Sequence, residues 1–370
     1  MAARRRLSAQ IAAGKRARTQ RMLALLTGTV SGLVLLTAGS GWLLADYVSG
    51  HLGRVNAGTA GATTGPMNIL LAGVDVRSGL SRREQLVLHV GRATGRNSDT
   101  LMVVHITGDR KHIAVVSLPR DSWVRIPGFG MNKINAAFGL GGPPLMVRTV
   151  EHATGLTIND FVEVNFLGFV KIINALGGVD VCVPYAVNDP YSGLHMSAGR
   201  HHVRGIRALQ FARDRHSFAL SDLARISDQQ QLLSSVLKKA ISSGTLTNPV
   251  KFSRFLAAAT SATKVDQRFN VASLADQLRF IRPNAVTFTT VPLASTNFLT
   301  PTGESAVRWN KTAATALFHR VSTDQFAQAH HHRHRHGSHR HRHRHRGAPR
   351  LAPGSVWQAN PRTAASAACH

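Results

Sequence analysis

Ser98-Asp99-Thr100-Leu101-Met102-Val103-Val104-His105-Ile106 runs into Thr107-Gly108-Asp109-Arg110-Lys111 and returns through His112-Ile113-Ala114-Val115-Val116-Ser117-Leu118-Pro119-Arg120-Asp121. Leu101 to Ile106 and His112 to Leu118 are short apolar runs rich in β-branched residues, joined by turn formers. The pattern predicts a hairpin of two buried strands. Its closure brings Asp99 and Arg120 side by side at one end of the sheet. A carboxylate next to a guanidinium on rigid strands is half of what holds a metal and a phosphate together.

The chain has 370 residues and a formal net charge of +27. About half of that excess is terminal. Residues 1–21 carry seven Lys/Arg and no acid, and His331–Arg350 carries seven Arg and eight His. The middle is still basic, which suits an anionic ligand. Met22 to Ala45 contains no charged side chain, and as a helix this run spans roughly 36 Å, enough to cross a bilayer. Basic residues precede it and Asp46 follows, so the positive-inside rule sets the N-terminus in the cytoplasm and the remainder outside. The competing reading is a cleaved signal peptide; the run is longer than a usual signal core and no small-x-small site follows at once. Only Cys182 and Cys369 are present, so no disulfide framework supports the exported part. A bridge between them is not expected, because Cys182 lies in a strand-like run and Cys369 in a tail.

The expected organisation is a basic cytoplasmic tail (1–21), a transmembrane helix (22–46), a Gly/Ala/Thr-rich linker (47–66), one α/β catalytic domain (67–327) and a His/Arg-rich disordered tail (328–370). Within the domain, Asn68–Gly73 reads as a buried strand and Pro144–Thr154 as a helix stopped by Gly155. Phe161–Phe166 and Val179–Val183 read as strands around a helix at Leu167–Leu176. Ser221–Ser243 reads as a long helix with Ser221 as N-cap. Helices at Pro249–Ala259, Val271–Ile281 and Lys311–Val321 and a strand at Ala285–Pro292 complete the pattern. The His/Arg alternation lacks the spacing of a zinc site and reads as a cationic brush or as drift without a role.

Asp75 closes the first strand and Asp99 opens the second. Two carboxylates at neighbouring strand ends suffice for Mg²⁺, which takes one or two carboxylates plus phosphate oxygens; singly, each also reads as turn chemistry. Arg120, Lys133, Arg213, Arg215 and Arg225 form a basic set. Arg213 and Arg215 point the same way if the chain is extended there, and Arg225 and Gln229 share a helix face. For any one of these, a solvated basic surface is the alternative.

Seven stretches in order resemble the signatures of LytR-CpsA-Psr proteins: Gly73-Val74-Asp75-Val76-Arg77, Asn97-Ser98-Asp99-Thr100, Ser117-Leu118-Pro119-Arg120-Asp121, Lys133-Ile134-Asn135-Ala136-Ala137, the run Phe169 to Val181, Ala208 to Arg215, and Asp222 to Gln230. The resemblance implies a three-layer αβα sandwich around a central mixed β-sheet, preceded by one transmembrane helix. It implies a membrane-bound phosphotransferase that carries an anionic glycopolymer from a polyprenyl pyrophosphate carrier to peptidoglycan. By motif, Asp75 and Asp99 hold Mg²⁺; Arg120, Arg213, Arg215 and Gln229 grip the pyrophosphate, with Lys133 and Arg225 assisting. Asp99, Arg120, Arg213 and Arg215 are the expected catalytic set, and the isoprenoid lies in an apolar pocket. Two features depart from the pattern: a longer stretch from Ser78 to Arg96, and Asp228 where many relatives have Arg. A polyprenyl pyrophosphate hydrolase and a non-catalytic membrane regulator are the alternatives. Specific nucleic-acid binding is not expected, since the short N-terminal tail contains no reading module.

Overall fold

The computed structural model describes residues 50, 52–61, 63, 65–75, 82–88, 98–214, 221–242, 249–270, 274, 281–328 and 362–363. The Met22–Ala45 run, Arg215, most of Val271–Ile281 and nearly all of the tail lie outside them. Among the described residues no helix is long and apolar enough to cross a membrane.

The first half of the chain forms β1 (Gly53–Val55), β2 (Met67–Val74), helix α1 (Arg82–Val87), β3 (Ser98–Ile106), β4 (Ile113–Leu118), β5 (Trp123–Ile126), β6 (Gly130–Lys133) and α2 (Ala136–Thr154). Next come β7 (Asp160–Asn165), α3 (Phe166–Ala175), β8 (Val179–Val183), β9 (Val187–Asp189), β10 (Leu194–Met196), β11 (Gly199–Val203) and α4 (Gly205–Arg213). The remainder is α5 (Ser221–Ser242), α6 (Pro249–Ala262), β12 (Thr263–Asp266), β13 (Val286–Thr290), β14 (Leu293–Leu299), β15 (Ser305–Trp309), α7 (Lys311–Ser322), α8 (Gln325–Gln328) and β16 (Arg362–Thr363).

Eight strands make one sheet in the order β1-β12-β7-β2-β3-β4-β13-β16. It is mixed: β2 runs parallel to β7 and β13 to β4, while β2–β3 and β3–β4 are antiparallel. The β3–β4 hairpin pairs Leu101 with Leu118 and Ile106 with Ile113. Continuing that register outward sets Asp99 opposite Arg120. Successive side chains of a strand face opposite ways, and β2 shows this cleanly. Leu70, Ala72 and Val74 join Phe138, Met146 and Phe318 of α2 and α7 on one face. Met67, Ile69 and Leu71 pack with Leu233 and Leu237 of α5 on the other. Helices therefore cover both faces of the mixed sheet, as expected of an αβα sandwich.

Several elements differ from the sequence expectation. Helix α2 begins at Ala136, ahead of the expected Pro144, and kinks where Gly142 adopts φ 64° before Pro143 and Pro144. Proline offers no N–H, so the two helical pieces meet at an angle there. Gly155 caps the helix in the left-handed conformation at φ 71°. Part of the stretch read as linker is built into the sheet, since β1 lies parallel to β12. Strand β8 matches the strand expected at Val179–Val183, whereas β9, β10 and β11, three to five residues long, were not legible. Cys182 is disulfide-bonded, contrary to expectation. It is partly exposed on β8, which among the described residues pairs with β11 alone, so a strand position does not exclude a bridge; Cys369 lies outside the described residues.

Candidate active site

The end of β2 is where the site begins. Gly73 pairs with Thr100, but Val74 pairs with Ser98, leaving Asp99 as the extra residue of a β-bulge. A bulge re-aims the side chain of the unpaired residue, and here it turns Asp99 toward Arg120. A Cβ on Gly73 would stand 3.0 Å from Thr100 Cβ, so any larger residue there would press Thr100 away from β2. Ser98 Oγ lies 2.9 Å from Thr100 O and 3.3 Å from Gly73 O, and its proton ties the bulge to both strands. Asp75 follows β2 directly and is 8% exposed.

Arg120 leaves the end of β4. Its Nη1 donates to Asp99 Oδ1 at 2.6 Å and its Nε to Asp121 Oδ2 at 3.3 Å. Backbone bonds hold the turn: Ser122 N to Pro119 O at 3.0 Å, and Asn135 N to Arg120 O at 3.1 Å. Such charge-assisted bonds are short and directional, so the guanidinium plane is set before any ligand arrives.

Asp75, Asp99, Arg213 and Gln229 line one cavity of about 520 Å³. Its deeper wall is apolar, with Leu71, Met102, Phe169, Ile172, Leu232 and Val236 drawn from both the sheet and helices α3 and α5. Arg213, the last residue of α4, donates from Nη1 to Leu88 O at 3.0 Å and stacks over the Phe166 ring at 5.2 Å. Phe166 is placed by the cap of α3, where Asn165 Oδ1 accepts from Gly168 N at 2.8 Å. Gln229 Nε2 donates to Ala212 O at 3.3 Å. Beside it, Asp228 is pushed up to about 8, first by burial and then by the Asp214 carboxylate. It therefore carries its proton at neutral pH. Among the described residues no group of three or more His, Cys, Asp or Glu side chains gathers as a metal cage. Two carboxylates opening on one cavity nevertheless fit a hard cation that completes its shell with phosphate and water oxygens.

Residues 48–322 match the model of the LytR_cpsA_psr family, about three-quarters of the chain. The chain belongs to that family. Among its relatives in the LytR_cpsA_psr group, the cell wall biosynthesis protein LcpA of Corynebacterium glutamicum is 34% identical over 316 residues, covering 75% of this chain and 61% of that protein. The polyisoprenyl-teichoic acid–peptidoglycan teichoic acid transferase TagU of Oceanobacillus iheyensis is 36% identical over 187 residues, covering 49% of this chain and 53% of the relative. The chain thus spans between half and two-thirds of the length of these two relatives. The crystal structure of B. subtilis TagV superposes with a TM-score of 0.58 at 24% identity, covering 72% of this chain and 99% of that one. That likeness establishes the shared fold.

Set against the LytR_cpsA_psr signatures, the expected residues separate into three groups. Asp75, Asp99, Arg213 and Gln229 converge on the cavity, and Arg120 joins them through Asp99. Lys133 is engaged elsewhere, its Nζ 3.0 Å from Glu304 Oε2. Arg215 lies outside the described residues, and so does the side chain of Arg225, although its backbone is part of α5. Sequence reasoning missed Phe166, which carries Arg213, and the Asp189–Ser192 turn in the cavity wall. Phe166 had a readable signal in the Asn165 N-cap ahead of an apolar helix; the short turn had none.

Proposed function

We propose that the chain is a phosphotransferase that moves an anionic glycopolymer from a polyprenyl pyrophosphate carrier to peptidoglycan outside the membrane. One observation carries this reading: two carboxylates and a guanidinium share the lining of one cavity of about 520 Å³ with a largely apolar wall. That amphipathic shape suits a ligand with an anionic head on an apolar chain. The relative TagU is named for the same chemical class of reaction. The apolar run Met22–Ala45 is proposed as the anchor that keeps the site beside a membrane-borne donor.

In this mechanism the isoprenoid lies along Phe169, Ile172, Leu232 and Val236, and the pyrophosphate rests at the mouth. Arg213 faces it from α4 and Arg120 from β4, and Arg215 is assigned to the same grip by its motif. The acceptor sugar hydroxyl attacks the phosphorus attached to the glycopolymer. The bond from that phosphorus to the bridging oxygen breaks, leaving polyprenyl phosphate, and Asp99 takes the hydroxyl proton. The pyrophosphate linkage is already activated, so positioning and charge neutralisation are the main tasks. Asp75 and Asp99 are the proposed holders of Mg²⁺, which when bound supplies further neutralisation of phosphate charge. Arg120 keeps Asp99 oriented and brings its positive charge to the anion's side of the site.

The test is reconstitution of the full chain in vesicles with a polyprenyl pyrophosphate-linked glycopolymer and peptidoglycan. The expected product is glycopolymer joined to the wall through a phosphodiester, with polyprenyl phosphate released. Release without attachment would mark a hydrolase, and neither product would refute both.

A further inference from the structure

We propose that Gln230 is a positioning residue that sets the separation of the two cationic arms, Arg120 and Arg213, and that this separation selects pyrophosphate over single phosphates. The inference rests on the transferase reading and deepens it. Gln230 Nε2 lies 2.8 Å from Ser117 Oγ, 2.9 Å from Thr289 O and 3.2 Å from Thr290 Oγ1. The Thr289 carbonyl only accepts, so the amide must present its NH₂ group here and not its oxygen. Ser117, Thr289 and Thr290 are all at most 5% exposed. They come from paired strands, with Thr290 opposite Ser117 in the β4–β13 ladder.

The neighbouring residue points another way. Consecutive helical residues lie about 100° apart, so Gln229 faces α4 while Gln230 faces the sheet. Gln229 donates to Ala212 O at 3.3 Å, one residue before Arg213. Ser117 stands three residues before Arg120 on the same strand end. One turn of α5 is thus bonded on one side to the backbone carrying Arg213 and on the other to the strand carrying Arg120. The guanidiniums themselves rest on Asp99 and Asp121 at one end and on Leu88 O and the Phe166 ring at the other, and α5 relates the two chain segments that carry them.

The experiment compares binding of inorganic pyrophosphate with that of inorganic phosphate to the full chain in vesicles. Wild type is compared with Gln230→Met and with the milder Ser117→Ala. The ratio of the two affinities does not depend on the fraction of folded protein, so general damage leaves it unchanged. The expected result is a wild-type preference for pyrophosphate that falls about tenfold in Gln230→Met, equivalent to about 1.4 kcal/mol. Ser117→Ala, which removes one acceptor and keeps the helix packed, should shift the ratio in the same direction by less. An unchanged ratio in both variants overturns the assignment of Gln230 alone. A wild-type chain that binds neither anion overturns the transferase reading and takes the assignment with it.

Discussion

Arg120 is held from two directions, by Asp99 at 2.6 Å and by Asp121 at 3.3 Å, which decides how its substitution should behave. Arg120→Ala removes the donor to the anion and also releases Asp99. The expected loss is about 10²–10³ in turnover, measured by phosphodiester formation on peptidoglycan. Arg120→Lys should recover little, because an ammonium cannot reproduce the planar fork. Asp75→Ala combined with Asp99→Ala should abolish transfer and its dependence on added Mg²⁺; retained Mg²⁺-stimulated activity would refute the metal assignment. Gly73→Ala tests the bulge. Its Cβ would meet Thr100 at 3.0 Å, and overpacking of this kind costs roughly 1–3 kcal/mol, so a lower melting temperature and a displaced Asp99 are expected.

Two acids face each other electrostatically where α4 approaches α5: Asp214, the residue that caps α4, and Asp228 of α5. An unfolded aspartate titrates near 3.8, whereas burial and then Asp214 push Asp228 up to about 8. The folded chain therefore binds the extra proton between those two values. Stability contributed by this group is complete below 3.8, declines as pH rises through the window and levels off above about 8. Asp228→Asn should flatten that slope and stabilise the chain at pH 8–9 on the order of 2 kcal/mol, after allowance for solvent screening. Denaturant melts across pH check it; parallel curves for the two proteins would be the contrary result. The same pair marks the limit of sequence reading. The β3–β4 hairpin was legible because apolar runs and turn residues are local signals, and its register followed from strand length. The Asp214–Asp228 interaction joins the cap of α4 to a residue of α5 and leaves no periodic trace. Asp99 and Arg120 were readable as neighbours, but the bulge that aims Asp99 depends on β2, a different segment. Lys133 matched a motif, yet its partner Glu304 lies in distant sequence that no spacing rule connects to it.

Across the whole molecule, the cavity separates two ligand properties, charge at the mouth and apolar bulk inside. Leu232→Trp should fill the interior while leaving Arg120 and Asp99 in place. It is expected to abolish binding of a long-chain polyprenyl phosphate in vesicles and to spare binding of inorganic pyrophosphate; loss of both would show that the variant disturbs the mouth. The apolar lining drawn from the sheet and two helices could not be delimited from sequence, because core and cavity residues share one composition until packing separates them.

The edge strand β1 has a mechanical meaning. Gly53–Val55 runs parallel to β12, Arg54 Nη1 reaches the carbonyls of Asp266, Gln267 and Phe269 at 2.8–3.3 Å, and Ala57 N donates to Asp266 Oδ2 at 2.8 Å. Tension applied to the chain upstream of Gly53 acts along the strand and loads these bonds in shear, all together. A peeling load would break them singly. The chain thus enters its sheet through a joint suited to bear traction, with the force carried into β12 and β7 before it reaches the strand ends where Asp75 and Asp99 stand.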